Sequence, residues 1–99
     1  MLNKSLFVRM QAKPGKADEV ESFLVQAIEL ARAEKTTEAW FSLRLDQDTF
    51  AVFDAFRDEE GRQKHLNGPI AAALMAQAPN LFAVPPVIQP LDILGAKLP

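Results

Sequence analysis

The sequence predicts an α+β fold in which a four-stranded antiparallel sheet is assembled in the order β-α-β-β-α-β. Three observations carry this. Runs of alternating apolar and polar residues lie near both ends and in the middle of the chain. A long stripe at helical spacing separates the first run from the second. The two middle runs are divided only by the polar Asp46-Gln47-Asp48, the signature of a hairpin.

Leu6, Val8 and Met10 alternate with Phe7, Arg9 and Gln11, giving a first strand over residues 5–12 that Lys13-Pro14-Gly15-Lys16 ends. Asp18 and Glu19 then fall in the first turn of a helix and Arg32 and Lys35 near its end, the charge order its dipole favours. Between them Val20, Phe23, Leu24, Ala27, Ile28 and Ala31 make a wide apolar stripe. After a Thr36-Thr37 link come the hairpin strands. An even-numbered loop would set Phe41 opposite Asp54, Leu43 opposite Val52 and Leu45 opposite Phe50, so that Phe41, Leu43 and Leu45 share a face with Phe50, Val52, Asp54 and Phe56. Trp40, Ser42, Arg44, Ala51, Phe53, Ala55 and Arg57 take the other face.

Asp58 fits the N-cap of a second helix, with Glu59 and Glu60 in its first turn. Gly68-Pro69 interrupts it, and Pro69 can restart a helix at its first position, continuing through Ile70, Ala73, Leu74 and Gln77 to Asn80. Residues 87–94 read as a last strand, which Pro90 confines to an edge or a bulge. Right-handed crossovers then give a ferredoxin-like sheet of order 4-1-3-2 with both helices on one face. Aromatic residues on both faces of the hairpin predict that both are covered. One cover is the chain's own helices, and the other is expected to be a second copy, forming a homodimer through the sheet faces.

Composition narrows the function. A net charge of -2 with interspersed signs offers no positive field for nucleic acid, and the absence of cysteine excludes disulfides and thiolate chemistry. The short N-terminal apolar run does not make a signal peptide, and no stretch is long enough to span a bilayer, so a cytoplasmic location and one domain over residues 1–99 are expected.

Among candidate site residues, His65 is the one side chain whose ordinary titration lies near neutrality, and it is the first choice for a general base. Gly61, four residues earlier on the same helix face, would leave room above the imidazole. Capping of the helix C-terminus is the structural alternative for His65. Asp54, alone among apolar residues on its face, is either paired with Arg9 or Arg44 or has a raised pKa, and perturbed carboxylates in apolar clefts are site candidates. Trp40 and Phe41 could stack an aromatic ligand, with Phe56 beside them, or could simply be core or interface. Arg44 could bind a phenolate or carboxylate, or be a surface cation. A lone histidine with no helical partner spacing makes a metal site improbable, and no cofactor is expected.

The segments Phe7-Val8-Arg9, Lys13-Pro14-Gly15-Lys16 and Phe50-Ala51-Val52-Phe53-Asp54-Ala55-Phe56-Arg57-Asp58-Glu59-Glu60, with His65 following, resemble the antibiotic biosynthesis monooxygenase superfamily over nearly the whole chain. That resemblance implies a dimeric α+β barrel. Asp54, where glutamate is usual, and His65 match common superfamily positions. The haem-degrading branch has no counterpart here to its Asn, Trp and His set, since Leu66 and Leu74 are apolar. The chain also has no tyrosine to act as the polyketide-oxygenating branch's proton donor. The resemblance implies a cofactor-independent monooxygenase, with a hydroquinone or phenol losing its proton to a base such as His65 and reducing dioxygen. A non-catalytic small-molecule-binding or stress-linked dimer is the alternative. An RNA-recognition module shares the element order but would need a basic-Gly pair where Asp48-Thr49 stands, and an acylphosphatase-like enzyme would need an Arg-bearing Gly-rich loop after the first strand.

Overall fold

The computed structural model describes residues 1–99. Seven elements follow in order: β1 (Lys4–Gln11), α1 (Ala17–Ala33), β2 (Ala39–Arg44), β3 (Thr49–Phe56), α2 (Glu59–Leu66), α3 (Pro69–Leu81) and β4 (Val87–Asp92). The sheet order is β2-β3-β1-β4 with every pairing antiparallel, which is the ferredoxin-like arrangement. Pro90 lies on edge strand β4, where its missing N–H faces no neighbour.

The core forms where alternation meets the helical stripe. Leu6, Val8 and Met10 of β1 and Phe50, Val52 and Phe56 of β3 are buried, as are Val20, Leu24, Ala27 and Ala31 of α1 and Ile70, Leu74 and Leu81 of α3. Burying the larger of these side chains, the valines, leucines, isoleucine, methionine and phenylalanines, stabilises by about 1.5–3 kcal/mol each relative to leaving them exposed. The predicted second helix is two, because Pro69 cannot donate into the preceding turn and instead opens α3 with Gly68 as its N-cap. The Asp58 carboxylate accepts the Gly61 N–H at 2.8 Å and starts α2 as expected. That helix has little apolar face. It is pinned by buried Arg62, whose Nη1 donates to the Ser5 and Leu91 carbonyls at 3.1 and 3.2 Å and which pairs with Glu59.

The hairpin register differs by one residue from the expected one. Trp40 faces Asp54, Phe41 faces Phe53 and Ser42 faces Val52. The cause is the loop. Asp46 Oδ1 accepts the N–H groups of Asp48 and Thr49 at 3.0 and 2.8 Å, while the Leu45 N–H donates to the Thr49 carbonyl, and this closes an odd-numbered turn. A one-residue slip carries every β2 side chain to the opposite face. Trp40, Ser42 and Arg44 therefore join Asp54 on the helix side, and Phe41 and Leu43 join Phe53 on the other. Phe41 and Phe53 stack there with ring centroids 6.5 Å apart. Phe41 is 52% exposed and Val87 59%, so this side of the isolated chain is apolar and uncovered. No helix is long and apolar enough to cross a membrane.

Candidate functional site

Four elements converge at one end of the helix-covered face. The first is β3, which places Asp54 beside Leu6 on β1 and Trp40 on β2. The second is α2, where the spacing of Gly61, Arg62 and His65 turns all three inward. The third is the end of α1, where the chain leaves the helix at Glu34 in an extended conformation and lays that side chain over His65. The fourth is α3, which supplies an apolar wall.

The result is an imidazole between two carboxylates. His65 Nδ1 donates to Glu34 Oε1 at 2.5 Å, and Nε2 lies 3.0 Å from Asp54 Oδ2. Thr37 Oγ1 also donates to Glu34 Oε1, at 2.9 Å. Phe56 packs against the His65 ring at 5.4 Å between centroids. Asp54 is 0% exposed and His65 6%. Neither Asp54 oxygen has a hydrogen-bonding partner of good geometry, so the Nε2 contact acts mainly through charge. Two other buried polar atoms are also without partners, Trp40 Nε1 and Glu34 Oε2.

Burial pushes the Asp54 carboxyl above the ordinary carboxylate value, against the opposing pull of His65. For His65, burial pulls the other way from its neighbours. The Asp54 and Glu34 carboxylates outweigh it and hold the imidazole above its ordinary value. With a carboxylate at each ring nitrogen, the doubly protonated form is the one both contacts favour.

Asp54, His65 and Trp40 line a cavity with Phe23, Leu74 and Ile88, among mostly hydrophobic walls. Cavity and mouth together enclose about 470 Å³, but only about 30 Å³ is open to the centre of a water molecule. That is room for one or two waters, whereas an apolar cavity known to bind benzene measures about 150 Å³. A ring-sized ligand enters only if the walls part.

Of the residues singled out from sequence, Asp54, His65 and Trp40 meet at this cavity, and Phe56 supports the imidazole from behind. Phe41 does not reach it, because the register places it on the open face. Nor does Arg44, which pairs with Glu21 at 3.0 Å, donates to the Gln47 carbonyl at 2.8 Å and lies over the Phe50 ring. The partner of Asp54 is His65 rather than Arg9 or Arg44. Gly61 does not make room above the imidazole. A Cβ there would come within 3.3 Å of the Thr36 carbonyl, so the glycine admits the α1–β2 link. Nothing in the sequence marks Glu34 and Thr37 as part of the site, since no local spacing joins the end of one helix to a histidine on another. No group of three or more candidate ligands is arranged to hold a metal ion.

No family model matches the chain, and no curated protein does. Among solved structures, the NE2512 protein of unknown function from Nitrosomonas europaea is 55% identical with a TM-score of 0.98, over 100% of this chain and 96% of that one. PA3566 from Pseudomonas aeruginosa is 22% identical with a TM-score of 0.80, over 96% and 97% of the two chains. A protein from Caulobacter crescentus, provisionally named an antibiotic biosynthesis monooxygenase, is 18% identical with a TM-score of 0.80, over 95% and 92%. The last two likenesses extend to the fold alone.

Proposed function

The chain belongs to the family of the Nitrosomonas europaea NE2512 protein, whose function is unknown, and from that premise we propose that it is a cofactor-independent monooxygenase acting on a small hydroquinone or phenol. One observation carries the proposal: a fully buried carboxyl with an unpartnered oxygen lines an apolar cavity, beside an imidazole that a second carboxylate holds in place. The names of distant structural neighbours are consistent with it.

The roles of the residues follow from their contacts. His65 has both nitrogens engaged, so it serves as the charged anchor of the site rather than its base. Asp54 is the base. Burial raises its proton affinity toward that of a useful acceptor, and its free oxygen accepts the phenolic proton. Glu34 positions His65, and Trp40 and the apolar walls orient the ring and exclude water.

The substrate anion gives one electron to dioxygen, and the resulting pair combines to a hydroperoxide on a ring carbon bearing hydrogen. Loss of that hydrogen as a proton, with cleavage of the O–O bond, leaves a carbonyl on the ring and releases water. A hydroquinone plus one dioxygen thus becomes a hydroxyquinone plus one water. The substrate supplies every electron, and one oxygen atom ends in each product.

We propose further that the open sheet face is covered by a second copy, since exposed Phe41 and Val87, with half-buried Phe7 and Phe53 between them, make it apolar. The absence of a tyrosine to act as proton donor favours a second reading, a small-molecule-binding protein that performs no chemistry. Oxygen uptake in the presence of hydroquinones separates the two. Turnover that falls at least a hundredfold in Asp54→Asn supports the oxygenase, and binding without uptake supports the alternative.

A further inference from the structure

Two of the unpartnered buried atoms are complementary. Trp40 Nε1 is a donor with no acceptor, and Asp54 Oδ1 is an acceptor with no donor. Their residues are direct partners across β2 and β3, and both line the same cavity. Opposed residues in such a pair have Cβ atoms about 4.5–5.5 Å apart, so the two side chains leave the sheet side by side on the helix-covered face. Buried polar groups of a native protein are nearly always satisfied, and an adjacent donor and acceptor left open together mark the place of a molecule that offers both.

The charge of the site limits that molecule further. The lining contains no lysine or arginine. Its one basic group, His65, is already held between Asp54 and Glu34. An anionic ligand would therefore lose its water and meet an apolar wall and a carboxylate, with nothing left to neutralise it.

We infer that the cavity selects uncharged hydroxylated aromatic rings, with Trp40 as the specificity-determining donor. A ligand hydroxyl donates to Asp54 Oδ1, a ligand oxygen accepts from Trp40 Nε1, and rings of the same size bearing a carboxylate are rejected. This rests on the reading of the cavity as a substrate site but does not depend on oxidation taking place there. Size acts in the same direction. The walls must part even for one ring, so additional bulk or a hydrated charge adds to the displacement required.

Anaerobic isothermal titration calorimetry on the intact protein tests the inference without turnover. The probes are hydroquinone, its dimethyl ether and 4-hydroxybenzoate, and the proteins are wild type, Trp40→Phe and Asp54→Asn. Hydroquinone should bind wild type, the ether at least about tenfold more weakly because it cannot donate to Asp54, and 4-hydroxybenzoate without measurable heat. Trp40→Phe should weaken hydroquinone binding by about tenfold or more while leaving the backbone circular dichroism in the far ultraviolet unchanged. Asp54→Asn should admit 4-hydroxybenzoate by removing the repelling charge. Ether or benzoate binding as tight as hydroquinone, undiminished binding to Trp40→Phe, or no binding by any probe would overturn the inference. Selective binding without oxygen uptake in air would uphold it and remove the oxygenase reading alone.

Discussion

Replacing His65 by leucine removes the one positive charge between Asp54 and Glu34 while keeping an apolar side chain against Phe56. Taking one partner from a buried ion pair costs about 3–5 kcal/mol. Burial of the leucine returns part of that, about 1.5–3 kcal/mol. The net loss near neutral pH is therefore about 2 kcal/mol, or a fall in Tm of about 8–16 °C for a domain of this size. The packing contributions do not vary with pH, so the pH dependence isolates the charge. In the variant, Asp54 has lost the neighbour that opposed its burial, and its folded-state pKa lies still further above the ordinary 3.8. A raised carboxyl pKa means that stability is lost as pH rises from the unfolded value through the folded one. The deficit relative to wild type should thus be small near pH 4 and open as pH approaches 7. Urea unfolding at pH 4, 5.5 and 7 reads this directly. Adding Asp54→Asn to the leucine variant should recover most of the loss at pH 7, because Glu34 keeps the Thr37 hydroxyl as a donor. An equal deficit at all three pH values, or no recovery in the double variant, would refute the electrostatic account of the site.

The remaining predictions concern the frame around the site. Wild-type stability should decline as pH rises above neutrality: His65 has a folded-state pKa raised above 6.5, so its contribution is complete below that value and is lost as pH climbs through the folded one. Thermal melts from pH 6 to 9 check this, and a Tm that rises over that range contradicts it. Gly68→Ala should destabilise by about 1–3 kcal/mol in urea unfolding. Its Cβ would press on the Lys64 and His65 carbonyls at 3.1 and 3.3 Å and on Glu34 Oε2 at 3.1 Å. Phe41→Glu places a charge on the open sheet face, on edge strand β2, and should convert a dimer to monomer in light scattering. An unchanged mass would show that this face is not the interface between copies.

Much of the fold was legible in the sequence because it rests on repeating signals. The stripe from Val20 to Ala31, the Asp58 cap, the break at Gly68-Pro69 and the edge position of Pro90 are each set by local chemistry, and the strand order follows from them with the usual handedness of crossovers. The hairpin register was not legible. It depends on whether Asp46 folds back onto the loop N–H groups, a choice worth one residue that inverts every position on β2. That inversion takes Phe41 away from the site and gives it Trp40, while Arg44 moves to the same face but stays at the hairpin end, held by Glu21 and the Gln47 carbonyl. Asp54 and His65 stood out as an acid among apolar residues and a lone titrating ring. Glu34 did not, because it is one exposed-looking acid at the end of an amphipathic helix, and only the packing of that helix against α2 brings it to His65.

Because His65 is the only histidine in the chain, ring ¹⁵N chemical shifts of histidine-labelled protein report on this site alone. Two carboxylates, one at each nitrogen, predict that both nitrogens carry protons at pH 7 and that the ring titrates above its ordinary 6.5. A neutral ring with one bare nitrogen at pH 7, titrating at or below that value, would contradict the arrangement on which the proposed chemistry rests.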